Sequence, residues 1–226
     1  TSFVADNSGG SGYNVGDIIN FGEADGGEYK VTAINADTLT FERFGSANTE
    51  GGNNVALGYQ SLHDLTTGNN NTAIGYQALS TEDAHGDNVA VGYQALKTQN
   101  AGVDAFNTAV GYQAGVAVTT GVENTILGGL AADALTTGGQ NVALGYVALT
   151  ADTVGSKSVA IGFRSLGAQN YGTATDSFNV AVGYDSGRAI TTGVQNTLIG
   201  GLAGDALTDA DANVALGYQA LASDTL

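Results

Sequence analysis

From Asn54 onward, apolar and polar residues alternate in short bursts that no helical period describes. The burst Asn-(Val/Thr)-Ala-(Val/Ile/Leu)-Gly-Tyr-Gln-Ala-Leu recurs ten times, beginning at Asn54, Asn71, Asn88, Asn107, Asn124, Asn141, Ser158, Asn179, Asn196 and Asn213. Seven intervals are 17 residues, one is 19 and one is 21. Alternation over a few residues, closed by glycine, predicts a short strand. A near-constant period of this length predicts a solenoid. The expected fold is therefore all-β: a parallel β-solenoid of the β-roll kind, ten turns of about 17 residues, filling residues 50–226. At a strand spacing of ~4.8 Å, ten turns stack to about 45 Å.

Counting the Asn as position 0, each column restricts its residue type. Position 1 is always Val or Thr and position 3 always Leu, Ile or Val, both suited to a strand. The two share one face, which is expected to line the interior of the turn. Position 4 is always Gly, which implies positive φ or close backbone approach. Position 7 is always Ala or Ser and must face something tightly packed. Position 2 is Ala except for Ile126 and Leu198, and in those same two turns the aromatic position 5 becomes Gly129 and Gly201. Gained volume is expected to be offset by lost volume between these two columns. The stacked amides of Asn54, Asn71, Asn88, Asn107, Asn124, Asn141, Asn179, Asn196 and Asn213 are expected to form a structural ladder along the bends. Two tight bends leave room for a second strand per turn, as in residues 116–120 and 189–192.

The longer intervals place insertions at residues 98–105 and 168–177. They follow turns four apart, so the two loops are expected to project from the same side. Lengthened loops on a solenoid often carry binding, and Tyr171, within AQNYGTATD, is the candidate ligand contact. The aromatic column at position 5 is read as packing first, though such rings also stack on sugars.

Residues 1–49 lack the period. Residues 17–21, 29–34 and 39–43 read as short strands separated by turns, one of them holding Gly26-Gly27, so a small N-terminal β-module is expected over 1–49, with 44–52 as the junction.

Composition narrows the chemistry. There are 35 Gly and no Pro, Cys, Met or Trp, while a 42% hydrophobic fraction argues against disorder. A net charge of −16 repels phosphate backbones, so no nucleic-acid partner is expected. No apolar run approaches the ~18 residues of a membrane span, so no membrane insertion is expected. The chain begins at Thr1 without an initiating Met and is expected to be a fragment or a processed chain. His63 and His85 lie in different turns and read as solvated side chains. The segment DADAN at 209–213 lacks the glycine and terminal Glu of a calcium loop. No catalytic, metal or cofactor residue is assigned and no enzymatic activity is expected. A narrow 17-residue turn lacks the deep groove of a catalytic β-helix.

The repeats NTAIGYQAL, NTAVGYQAG, NVALGYQAL and SVAIGFRSL resemble the SVAIG-type repeats of trimeric autotransporter adhesin heads, and more closely the NTAxGYQAL arrays of phage and bacterial tail-fibre-like proteins. The resemblance covers residues 54–226 and implies a trimer of parallel β-rolls. Small-residue columns on an outer face would support a homotrimer as well. The function expected is a structural or adhesive fibre segment, foremost a bacteriophage tail fibre contributing to host recognition, located in the virion or on a cell surface. Its outside partner would be a host-surface glycan or protein. The head of a bacterial trimeric adhesin is the first alternative, and a polysaccharide-degrading tail spike the second.

Overall fold

The computed structural model describes Ile18–Asn20, Glu28–Asn35, Thr38–Phe44 and residues 52–223. The first three segments are strands β1, β2 and β3 of an antiparallel sheet in that order, with a register shift between Val31 and Ala33. The Gly26-Gly27 turn and most of the junction at 44–52 lie outside the described residues.

The solenoid contributes one three-residue strand per turn. In chain order these are β4 (Val55–Leu57), β5 (Thr72–Ile74), β6 (Val89–Val91), β7 (Thr108–Val110), β8 (Thr125–Leu127) and β9 (Val142–Leu144). After the two-residue strand β10 (Gly155–Ser156) come β11 (Val159–Ile161), a second short strand β12 (Thr175–Asp176), and β13 (Val180–Val182), β14 (Thr197–Ile199) and β15 (Val214–Leu216). The ten longer strands form one parallel sheet in which each turn pairs with the next, like residue on like residue. No helix occurs among the described residues.

The interior differs from the expectation. Position 2 is the inward one: Ala73, Ala90, Ala109, Ile126, Ala143, Ala160, Ala181 and Leu198 are fully buried. Positions 1 and 3 point outward. Alternation assigns residues to two faces but does not say which face is inside. A 17-residue turn closes on so narrow a bore that Ala is the usual fit, and Ile126 and Leu198 enter only where position 8 is Gly or Ala. Position 7 also lies inside, from Ala78 to Ala203, so the invariant small column packs within the roll and offers no subunit contact.

Beyond each strand, the position-4 glycine takes φ between 123° and 144°. A Cβ there would strike the backbone of the following turn, 2.5 Å from the Gly75 carbonyl oxygen in the case of Gly58. The chain then passes through left-handed conformations at positions 6 and 8, as at Gln60 (φ 54°) and Leu62 (φ 48°). No second strand forms at 116–120 or 189–192, where the backbone follows turns and bends. Backbone bonding nevertheless continues turn to turn, as in Thr119 N–H to Thr136 O at 2.9 Å and Thr191 N–H to Thr208 O at 2.7 Å.

A left-handed leucine costs about 1–2 kcal/mol. Burying its side chain contributes about 1.5–3 kcal/mol, so Leu62, Leu79, Leu96, Leu149 and Leu166 hold position 8 at a net gain. Where a large residue already enters from position 2, position 8 shrinks. A Cβ on Gly115 would lie 2.9 Å from Ile126 Cδ1, and one on Gly204 would lie 2.8 Å from Leu198 Cδ2. Volume is thus exchanged between positions 2 and 8. Gly129 and Gly201, the partners expected from sequence, sit in the outward aromatic column on the other side of the strand.

This exchange can be tested with a two-residue cycle. Gly204→Leu should destabilise by about 1–3 kcal/mol through overpacking, and Leu198→Ala by about 2–5 kcal/mol through a cavity. The double variant recreates the Ala/Leu arrangement of turns such as Ala143 with Leu149 and should regain most of that loss in chemical denaturation. Simple additivity of the two losses would show that the columns do not share space.

Candidate functional site

Because positions 1, 3 and 5 point outward, each turn presents a β-branched residue, an aliphatic residue and usually an aromatic ring on one face. Mid-stack side chains such as Val110 (39% exposed), Leu127 (38%) and Tyr112 (54%) remain open despite neighbours above and below. The rings stack in two ladders. Tyr59, Tyr76, Tyr93 and Tyr112 have successive centroid separations of 5.4, 5.3 and 5.2 Å. Tyr146, Phe163 and Tyr184 follow at 6.0 and 5.1 Å. Gly129 and Gly201 interrupt the column, leaving a notch in the fifth and ninth turns. None of the thirty positions in this face carries a charge, in a chain of net charge −16.

Beside this face runs a ladder of glutamines at position 6, in which Gln77, Gln94 and Gln113 each donate Nε2 to the Oε1 of the Gln one turn before, at 2.8–2.9 Å. The asparagines of position 0 form a buried column. Their Oδ1 atoms accept from the backbone N–H of position 0 in the following turn, for example Asn71 N to Asn54 Oδ1 at 2.8 Å and Asn124 N to Asn107 Oδ1 at 2.8 Å. Their Nδ2 atoms donate across the turn to the carbonyl at position 14, as Asn141 does to Gly155 O at 2.9 Å. Each side chain therefore ties two backbone groups together, which explains why amides occupy a buried column.

The two lengthened turns break this pattern and repair it. Their position-11 residues, Gln99 and Gln169, are fully buried where most other turns have Leu, Val or Ile. Each accepts from the Asn of the next turn: Asn107 Nδ2 to Gln99 Oε1 and Asn179 Nδ2 to Gln169 Oε1, both at 2.9 Å. Ser158 lacks the amide that would serve Asn179, and Ser177 from the inserted segment supplies its hydroxyl to Asn179 N–H at 3.3 Å. The insertion also rejoins the stack by pairing β12 with β10.

Tyr171 belongs to this repair, which corrects its expected role as a ligand contact. It is 5% exposed, donates its hydroxyl to Gly193 O at 2.9 Å and accepts from Asn179 Nδ2 at 3.1 Å. The cause is alternation within the insertion itself, which sends Gln169 and Tyr171 inward while Asn170 and Gly172–Ala174 face solvent. Burial raises the Tyr171 hydroxyl far above its ordinary range, with the nearby Asp152 charge adding to the effect. The large apolar side chains exposed in or directly after the insertions are Val103, Phe106 and Phe178. Phe106 and Phe178 immediately precede position 0 of the next turn and hold φ of 52° and 50°. A bulky exposed aromatic at positive φ was visible in the sequence only as the 72-residue offset between the two.

Asp152 is the buried carboxylate of this region. Its Oδ2 accepts from Gln169 Nε2 at 2.6 Å and its Oδ1 from Gly155 N–H at 2.9 Å. Burial outweighs these bonds and raises its pKa. A carboxyl whose folded pKa lies above the unfolded value of about 3.9 favours folding most when protonated. Its contribution is lost as pH rises through the folded pKa. Asp152→Asn removes that titration. As pH rises from about 4 to 7, thermal unfolding should show the parent losing stability relative to the variant. Parallel melting-temperature profiles would assign no such role to Asp152.

No protein-family model, curated protein or solved structure matches the chain.

Proposed function

We propose that this chain is a structural fibre segment whose rolls associate as a homotrimer through the uncharged apolar face, serving as part of a bacteriophage tail fibre that contributes to host recognition. One observation carries the reading: positions 3 and 5 present half-buried to exposed aliphatic and aromatic side chains along the stack, with Val or Thr beside them at position 1. Ten rungs of ~4.8 Å by three columns about 7 Å apart give a strip of roughly 600 Å². That is comparable to what one partner contributes to a specific interface, about 800 Å², and large for a face left in water. A second copy is the fitting cover, because an identical in-register column matches the rung spacing along the whole length. Parallel rolls around a threefold axis follow from the NTAxGYQAL resemblance. The acidic remainder of the surface keeps the assembly soluble.

In this reading the roll is a rod with no catalytic role, and recognition of a host glycan or protein falls to the lengthened turns. In-register stacking supports a common side for both, four rungs or about 19 Å apart. Phe106 and Phe178 take the place that sequence gave to Tyr171.

Sedimentation of the chain at micromolar concentration should give the mass of three subunits. Leu127→Asp, placed mid-strip and outward, should yield folded monomers with an unchanged far-ultraviolet spectrum. A parent that sediments as a stable monomer overturns the assembly. Recognition has its own test: Phe106→Ser with Phe178→Ser should leave the mass intact and reduce adhesion to host cells at least tenfold. Undiminished adhesion would place recognition elsewhere.

A further inference from the structure

The arrangement of buried acid followed by glutamine occurs twice at position 11, four turns apart: Asp152 with Gln169, and Glu82 with Gln99. The two copies end differently. Around Asp152 both carboxylate oxygens are bonded within the protein. Around Glu82, Oε1 accepts from His85 N–H at 3.2 Å, but Oε2 has no partner although the residue is fully buried. His85 Nδ1 and Gln99 Nε2 are likewise buried and unpartnered.

Packing does not demand a carboxylate here. Leu65, Val118, Leu135, Ile190 and Leu207 fill the same column in other turns. A carboxylate buried here carries a desolvation cost that a leucine would avoid. Position 14 differs as well. The Asp152 copy has Gly155, where an added Cβ would collide with Asp152 Oδ2, whereas the Glu82 copy has His85. The longer acid and the imidazole therefore occur together in one turn and are both missing from its counterpart.

Three potential ligand atoms, one each from Glu82, Asp83 and His85, lie within 4.8 Å of one another. His85 Nδ1 stands 3.8 Å from Glu82 Oε1, beyond hydrogen-bonding reach. Two ligands on a tetrahedral ion with bonds of about 2.1 Å are about 3.4 Å apart, so a modest contraction makes a coordination edge. Asp83 is exposed and His85 partly so, which opens the cluster to solvent while Glu82 anchors its inner end.

The geometry points to a divalent transition-metal site formed by Glu82, Asp83 and His85, with zinc as the representative ion. The imidazole selects zinc-class ions over calcium or magnesium, which prefer an all-oxygen shell. Three protein ligands leave a coordination position for water. Gln99, in the same column one turn on, supplies an amide donor that suits the oxygen of such a water. Bound there, the ion would cross-link the tail of its turn to the core, one turn before the first insertion.

Calorimetric titration of the chelator-treated full chain with zinc tests the assignment. Saturable binding of one ion per chain is expected, with a zinc-dependent rise in melting temperature. Glu82→Gln should weaken binding about tenfold or more, and His85→Gln should abolish both signals while the spectrum of the folded protein persists. His63→Gln, which alters the only other histidine and its Asp64 contact, should change neither. Absence of saturable binding, or binding equal in the parent and His85→Gln, overturns the site. Loss of binding in His63→Gln would assign the ion to the surface His63–Asp64 pair and overturn it equally.

Discussion

The width of the bore governs this molecule. Seventeen residues closing on themselves, with each turn stacked in register on the next, leave a channel that takes an alanine from the strand and a leucine from the opposite wall. Larger strand residues enter only where position 8 gives up volume, at Ile126 and Leu198, and elsewhere Val, Ile, Leu and Tyr are turned outward along the sheet. A wider solenoid could bury its strand aliphatics and stand alone. This one places its small residues inside and leaves much of its apolar surface outside, an area large for a face left in water. The association proposed above is thus a consequence of turn length as much as of any particular side chain.

The same narrowness governs the polar groups. Most of the backbone in a turn lies outside regular strand, and the left-handed steps at positions 6 and 8 leave amides and carbonyls that must be met inside a dry interior. The Asn column meets them with one side chain per turn, accepting from the next turn and donating across its own. When a turn grows, the pattern shifts: Asn88 donates to Gly86 O while still accepting from Asn107 N–H, and in the longer turn Ser158 stands in place of the amide. Gln99, Gln169, Ser177 and Tyr171 add bonds to the next asparagine or to the backbone. Insertions in this roll are therefore partly internal structures: Gln99, Gln169, Tyr171 and Ser177 turn inward while most residues around them face solvent.

That division explains what could be read from the sequence. The period, the parallel stack, the glycine column and the placement of insertions all follow from residues that recur, because each recurring residue answers the same local geometry ten times. The inside and outside of the strand were not legible. Alternation is symmetric, and the usual rule that larger apolar residues lie inward fails when the bore is small. The exchange of Ile126 and Leu198 against Gly115, Ala132, Gly187 and Gly204 was present in the sequence, but Gly129 and Gly201 vary in the same turns and drew attention to the wrong face. Tyr171 was misjudged because an inserted loop was treated as wholly exposed, although Gln169 and Tyr171 keep the two-residue spacing of side chains that share a face.

A repeat protein also supplies its own controls. Each column is a series of substitutions in a nearly constant environment, so a departure can be weighed against the residues that fill the same place elsewhere. Leu65, Val118, Leu135, Ile190 and Leu207 show what position 11 requires for packing alone. Gln99 and Gln169 show what it requires when a turn is lengthened. Asp152 shows how a carboxylate is accommodated there, through two backbone N–H groups and a glutamine, with glycine opposite. Glu82 satisfies none of these precedents. It is too long for the Asp152 arrangement, faces a histidine where that arrangement needs glycine, and holds a buried oxygen away from any donor. One bond from His85 N–H does not offset a buried, unpartnered oxygen, which is the departure that the proposed metal site accounts for.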